Sequence, residues 1–367
     1  MKKVLIYGAG AIGRGYLPWV FTPDSFKYSF VESNDKIRSL LNKSKKYTSY
    51  MTSNSSYESK EFSLEHCYKP GEELEYIDSF DAVLIAVGPR NFPSLIPNFI
   101  NTNIPIICFE NDSQLSEKMK LKTGNKNVVF GIPDVITSNT ASEELLSKDE
   151  LSIITENGEC FIDEKVKKLG GNCKYISTTE LDKQWKAKLY IHNTTHCIAA
   201  YLGNIIKGKY LHNSMESLEI RKIVENSMIE VKLMLKTKYN IEEDFLDFYA
   251  NKELQRFSNK LLCDPISRVA REPFRKLEKN ERLIGAASLC LSVGILPINL
   301  VKGIMAAFCF DKHDDNDFHI KYLIKSLNKE DFLKIIIGLR ENEALFQIIV
   351  QNWDNNINLI NELKNEV

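Results

Sequence analysis

Short, continuous apolar runs open the chain. Lys3–Tyr7 (KVLIY), Tyr28–Glu32 (YSFVE), Ala82–Val87 (AVLIAV), Pro105–Glu110 (PIICFE) and Asn127–Gly131 (NVVFG) hold their apolar residues side by side rather than alternating. Runs of this length suit strands buried on both faces of a parallel sheet. Helical stretches such as Asp35–Asn42 and Ser113–Leu121 fall between them. That alternation predicts a doubly wound α/β domain. Tyr47–Tyr68, rich in Ser, Thr and Tyr, predicts a hairpin excursion, and the alternating Leu151–Ile162 predicts strand and turn. From about Thr179 the period changes to that of amphipathic helices, near Glu180–Ile206, Ser217–Lys238, Glu242–Leu262, Glu281–Val293 and Ile298–Phe308. Gly and Pro are sparse there and mark ends, at Asp264–Pro265 and Gly294–Pro297. The pattern predicts an N-terminal α/β nucleotide domain over 1–178, with excursions, and a mostly α-helical domain over 179–367. The cleft between two such domains is the default place for a site.

Composition narrows the class. The formal net charge is −1 and hydrophobic residues make up 43% of the 367. A balanced charge offers no electrostatic footprint for nucleic acid or an anionic membrane. The eight cysteines form no CxxC and no zinc-like spacing with a histidine pair, so neither a metal site nor a disulfide framework is expected, and a reduced compartment fits. The apolar start is broken by Gly8, Gly10 and Gly13 and then meets Arg14, unlike a signal peptide. No apolar stretch is long enough for a membrane span. Together these predict a cytoplasmic location.

Directly after the first strand stands Gly8-Ala9-Gly10-Ala11-Ile12-Gly13, a GxGxxG. In a dinucleotide-binding Rossmann-type turn, Gly8 permits the tight bend and Gly10 lets the backbone approach a pyrophosphate. Gly13 lets the next helix pack closely. The helix N-terminus, including Ala11 and Ile12, points amides at the phosphates, with Arg14 close by. Glu32 ends the next strand, 22 residues after Gly10. A carboxylate there accepts hydrogen bonds from ribose hydroxyls and repels a 2′-phosphate, which predicts NAD over NADP. Val87 and Gly88, ending a later strand, are further candidates for the cofactor groove.

In Lys186–Gly203 (KAKLYIHNTTHCIAAYLG) several polar residues interrupt an apolar helix. With Lys188 as reference and roughly 100° per residue, His192 falls near 40°, His196 near 80° and Asn193 near 140°. All share one side, and spacing alone does not choose between the histidines. A lysine in a low-dielectric cleft can serve as a general base, and an amide beside it can donate to a developing alkoxide; a polar face turned to solvent or capping a loop is the alternative at this point.

Lys188, Asn193 and His196 match the K-x4-N-x2-H signature, so the chain resembles the polyol-specific long-chain dehydrogenases, the mannitol dehydrogenase family. The likeness extends through Arg268–Leu277 (RVAREPFRKL), Glu281–Gly285 (ERLIG), Gly294–Phe308 (GILPINLVKGIMAAF), Tyr7–Leu17, Phe30–Asn34 and Phe109–Asp112 (FEND). It touches most of the chain to about residue 310. The resemblance implies metal-free hydride transfer with Lys188 as general base, Asn193 and Asn111 around the reacting oxygen, and His196 on a neighbouring hydroxyl. Arg268, Arg271, Arg275 and Lys276 concentrate cations that suit a phosphate. The pattern is similar to the sugar-phosphate branch, with Arg271 and Arg275 the leading contacts. The substrate pair implied is a ketose phosphate and a polyol phosphate, such as fructose 6-phosphate and mannitol 1-phosphate. An unphosphorylated polyol, a hexuronate, or a non-catalytic NAD-binding sensor are the alternatives.

Three departures bear on the pocket. Ser138-Asn139 stands where the family carries Asp-Arg, Thr195 stands where Gly is usual, and Pro18 falls within the first helix. Glu32→Ala is expected to narrow the preference for NAD over NADP, read as the ratio of kcat/KM for the two. An unchanged ratio would remove that role from Glu32.

Overall fold

The computed structural model describes residues 1–53, 56–100, 102–138, 141–311 and 320–365. The chain folds as two compact units, Met1–Trp185 with Leu261–Cys263, and Lys186–Lys260 with Asp264–Val367.

The first unit is built on β1 (Lys2–Tyr7), β2 (Phe26–Val31), β5 (His66–Tyr68), β6 (Ala82–Ile85), β7 (Ile106–Cys108) and β8 (Val128–Asp134), with β3 (Lys46–Thr52), β4 (Tyr57–Ser63), β9 (Thr137–Ser138), β10 (Ile153–Glu156), β11 (Glu159–Asp163) and β12 (Lys174–Ile176) completing it. The larger sheet runs β12-β11-β8-β7-β6-β1-β2-β5. Strands β5 to β8 of that row are all parallel; β11 joins β8 antiparallel and pairs parallel with β12. Strand β1 lies between β2 and β6, so the chain reverses its winding there. The carboxyl end of β1 is therefore a topological switch point, where open α/β sheets bind ligands. The apolar runs are buried on both faces as expected: Val4, Ile6, Phe30 and Leu84 pack on one side, Leu5, Tyr7, Val83 and Ile106 on the other.

The expected hairpin is present. β3 and β4 pair antiparallel from Lys46↔Ser63 to Thr52↔Tyr57, while β5 leaves them for the main sheet. The second sheet runs β4-β3-β10-β9. The Leu151–Ile162 segment thus divides its two strands between two sheets, turning at Asn157-Gly158. Tyr57 Oη donates to Leu261 O at 2.6 Å, which ties the short Leu261–Cys263 return to this unit.

The second unit is helical, with long helices at Leu218–Tyr239, Glu243–Phe257, Ile284–Ser292, Ile298–Phe308, Ala344–Gln351 and Trp353–Asn365. Its central helix is Thr194–Ile205, every residue of which is buried. Gly303 of the Ile298–Phe308 helix allows the closest approach to it: a Cβ there would meet Ile198 Cγ1 at 2.4 Å. The same helix is capped from a neighbour. Buried Glu230 accepts from Asn299 N (2.8 Å), Asn299 Nδ2 (2.8 Å) and Leu300 N (3.0 Å). The two backbone N–H groups are first-turn donors with no partner inside their own helix. No helix among the described residues is long and apolar enough to cross a membrane.

Glu230→Ala leaves those amides without an acceptor and is expected to cost about 1–3 kcal/mol. The midpoint of urea unfolding checks it, and an unshifted midpoint would show that water replaces the cap.

Candidate functional site

At the switch point each fingerprint glycine meets a different constraint. Gly8 sits at φ +90°, and a Cβ on it would lie 2.4 Å from Ala86 O. A Cβ on Gly13 would lie 1.9 Å from Gly8 O, so the next helix is packed onto the turn itself. Around Gly10 the space is open, with nothing within 4 Å of such a Cβ. That trio fits a backbone cradle for a pyrophosphate. Ala11–Tyr16 winds as a π-helical turn before Leu17–Val20 continues as α-helix, with Pro18 in the first turn of the α segment, where a missing N–H does no harm. Pro18 therefore interrupts nothing.

Three charged side chains shape this region. Glu32 is turned back on the loop: it accepts from Ala9 N at 2.9 Å and from Asn34 N at 2.8 Å. Its remaining lone pairs are available to a ribose hydroxyl. Arg14 is buried. Its Nε donates to Ala9 O at 3.0 Å, Nη1 donates to Leu151 O, and the guanidinium lies over the Tyr47 ring. Burial lowers its pKa against the pull of Tyr47, Asp149 and Glu32. Arg14 thus braces the glycine loop from within. Glu110 was not singled out by the sequence. One of its carboxylate oxygens accepts from both Val87 N (2.7 Å) and Gly88 N (3.1 Å), clamping the end of β6 at the residue with φ +88°. Burial pushes this carboxyl up to about 7, against the two amides. Asn111, the next residue, is exposed.

In the helical unit, Lys188–Asn193 is a second π-helical turn, closed by Thr194 N–H bonding Leu189 O five residues back. Thr194 Oγ1 also donates to Leu189 O, at 3.1 Å. The widened turn sets the phase between Lys188 and Asn193, which straight α-helical angles had only approximated. Such π turns are frequent at functional sites. Lys188, Asn193 and His196 are all buried.

Both histidines are anchored to carboxylates. His196 Nε2 lies 2.9 Å from Asp264 Oδ2, and His192 Nδ1 lies 2.5 Å from Glu253 Oε2. Each carboxylate also holds an arginine one turn on along its own segment, Arg268 for Asp264 and Arg256 for Glu253. Burial would raise the Asp264 carboxyl, but Arg268 and His196 outweigh it and hold it down to about 2. Burial lowers both imidazoles, His192 to about 4, despite the acids beside them. Burial thus favours the neutral form of both rings. The Phe257 ring stacks on His196 with centroids 5.0 Å apart.

The members of the arginine cluster differ in their surroundings. Arg268 is committed to Asp264, and Arg275 to Glu272 (3.0 Å) and Glu281 (3.1 Å). Buried Lys276 donates to Val269 O and Arg271 O, and burial pushes it down to about 8. Arg271 alone of the four is exposed. Ser138 is buried in β9, Asn139 lies outside the described residues, and Thr195 donates its hydroxyl to Ile191 O.

Residues 180–355 match the family model described as mannitol dehydrogenase C-terminal domain. Among curated proteins, the chain is 30% identical to the mannitol-1-phosphate 5-dehydrogenase of Thermoanaerobacter pseudethanolicus, over 96% of this chain and 97% of that one. It is 27% identical to the protein of the same name from Caldanaerobacter subterraneus subsp. tengcongensis, covering 96% and 98%. Among solved structures, Pseudomonas fluorescens mannitol 2-dehydrogenase, in a ternary complex with NAD and D-mannitol, aligns with TM-score 0.74 at 13% identity, covering 99% of this chain and 94% of that one. A substrate-free D-sorbitol dehydrogenase aligns with TM-score 0.66 at 13% identity, covering 97% and 91%.

The Glu110 carboxyl, whose ordinary value is 4.5, titrates near 7 in the folded chain. Its folded value is raised, so the stability it contributes is full below the unfolded value and is lost as pH rises through about 7. Wild-type melting temperature is expected to fall more than that of Glu110→Gln between about pH 5 and about pH 8. Parallel curves would show that Glu110 does not titrate there.

Proposed function

The chain belongs to the mannitol dehydrogenase family, and from that premise we propose that it is an NAD-dependent polyol-phosphate dehydrogenase, interconverting a ketose phosphate and a polyol phosphate such as fructose 6-phosphate and mannitol 1-phosphate. The observation that carries the reading is the buried π-helical turn holding Lys188 and Asn193, continued by the carboxylate-anchored His196. Full-length similarity to proteins named mannitol-1-phosphate 5-dehydrogenase supports the phosphorylated substrate.

When bound, NAD supplies the hydride acceptor. In the oxidative direction Lys188 takes the proton of the reacting hydroxyl as the hydride leaves its carbon, and the hydroxyl carbon becomes a carbonyl. In reduction Lys188 returns that proton to the oxygen. Asn193 and Asn111 donate to the oxygen as negative charge develops on it. His196 holds a neighbouring hydroxyl. Gly8, Gly10 and Gly13, with the amides of Ala11 and Ile12, cradle the pyrophosphate, while Glu32 takes the ribose hydroxyls. Val87 and Gly88, fixed by Glu110, line the groove, and Arg14 holds the loop. Arg271 is the phosphate contact of this reading, with Arg268 and Arg275 shaping its surroundings through their carboxylate partners.

NADH absorbance with purified protein tests the proposal against fructose 6-phosphate, mannitol 1-phosphate, fructose, mannitol and hexuronates. Turnover confined to the phosphorylated pair is expected. Lys188→Ala is expected to lower kcat by at least about 100-fold with NADH affinity little changed. Turnover of free sugars alone would discard the phosphate, and near-normal turnover by Lys188→Ala would remove the base.

A further inference from the structure

Lys188, His192 and His196 recur at every fourth residue, and the two imidazole rings lie side by side with centroids 4.9 Å apart and planes 37° apart. Their hydrogen-bond partners assign the tautomers. A neutral imidazole beside a carboxylate carries its proton on the nitrogen that faces it. His196 is therefore protonated on Nε2, toward Asp264, and His192 on Nδ1, toward Glu253. Each ring is left with one lone-pair nitrogen, Nδ1 of His196 and Nε2 of His192. Neither makes a hydrogen bond within the described residues. Neither is among the fully buried polar atoms that lack a partner, so each keeps some solvent contact and can meet a ligand's donor in place of water. Two such acceptors on neighbouring rings, over the two turns beyond Lys188, suit a ligand that brings two donors on a short carbon chain.

We propose that His192 is a second substrate-contacting residue, whose Nε2 accepts from one hydroxyl of an acyclic polyol while His196 Nδ1 accepts from another. The inference rests on the polyol dehydrogenase reading and adds to it a specificity for two hydroxyls near the reacting carbon. Glu253 and Arg256 are its positioning residues. Glu253 is fully buried and holds His192 Nδ1 as an acceptor, while Arg256 balances the carboxylate, so His192 need not be charged to keep its place. A neutral acceptor discriminates by what it lacks. It accepts a hydrogen bond from a hydroxyl and disfavours a deoxygenated carbon, which displaces water from the nitrogen without replacing its hydrogen bond.

Two measurements test this. The first is nitrogen-15 NMR of histidine-labelled protein, saturated with NAD. His192 should show a protonated Nδ1 and an unprotonated Nε2, and the Nε2 resonance should shift when mannitol 1-phosphate or free mannitol is added. The opposite tautomer, or an Nε2 that stays silent, overturns the proposal even if the protein turns over none of the tested substrates. Absence of turnover by wild-type protein would instead count against the broader reading. The second is a cycle between His192→Phe, which keeps a flat ring against His196, and monodeoxy analogues of mannitol 1-phosphate. His192→Phe is expected to lower kcat/KM about tenfold or more, chiefly through KM, with the KM for NAD unchanged. One analogue should suffer that loss in wild type and no further loss in the variant. Additive losses for every analogue would show that His192 touches no hydroxyl.

Discussion

A carboxylate withdrawn from water is tolerated only when its charge is met on several sides, and in the helical unit Asp264 carries that constraint for everything around it. It is almost fully buried and is met by Arg268 from its own segment and by His196 from the central helix. Three features follow. The Arg268 guanidinium is committed to an internal partner. The imidazole of His196 is fixed in one tautomer and needs no charge to stay there. The Phe257 ring then has a flat neutral surface on which to stack. The Glu253, His192 and Arg256 set repeats the arrangement one turn away. The polar face of the helix is thereby rigid before any ligand arrives, which is what orientation of a reacting group requires.

The nucleotide unit uses carboxylates differently. Glu32 and Glu110 both accept backbone amides at the carboxyl ends of neighbouring parallel strands, Ala9 N for the first and Val87 N with Gly88 N for the second. Each holds a turn whose glycine has a positive φ, Gly8 and Gly88. Side-chain clamps of this kind let a loop be shaped for a ligand without relying on its own short-range bonds. The guanidinium of Arg14 supports the same loop from the core side through Ala9 O.

The parallel sheet and its glycine turn were legible because their signals are local: contiguous apolar runs, glycines at fixed offsets, an acid at the next strand end. The helical period of the second half was legible for the same reason. Three features were not. The π-helical turn at Lys188–Asn193 leaves no compositional trace, since it depends on one carbonyl, Leu189 O, accepting from five residues on. The pairing of β10 and β11 into different sheets depends on partners far away in sequence. The partners of the histidines, Glu253 and Asp264, lie 61 and 68 residues further along. A charge count likewise shows that arginines cluster over Arg268–Arg275, but not that Glu272, Glu281 and Asp264 already answer two of them.

That last point bears on where specificity resides. Arg268 and Arg275 are neutralised by their own neighbours, and Arg271 is an exposed side chain whose charge solvent and salt screen. The groups on the central helix differ: they are largely buried and held by carboxylates, so a hydrogen bond made or lost there is screened less. The Lys188–His196 stretch, with its carboxylate-anchored rings, is more rigidly held than the exposed Arg271 side chain. The departures at Ser138 and Thr195 fit that division. Thr195 turns its hydroxyl back to Ile191 O and leaves the polar face as it was, while buried Ser138 ends a short strand in the other unit. Neither departure alters the residues of the stripe from Lys188 to His196.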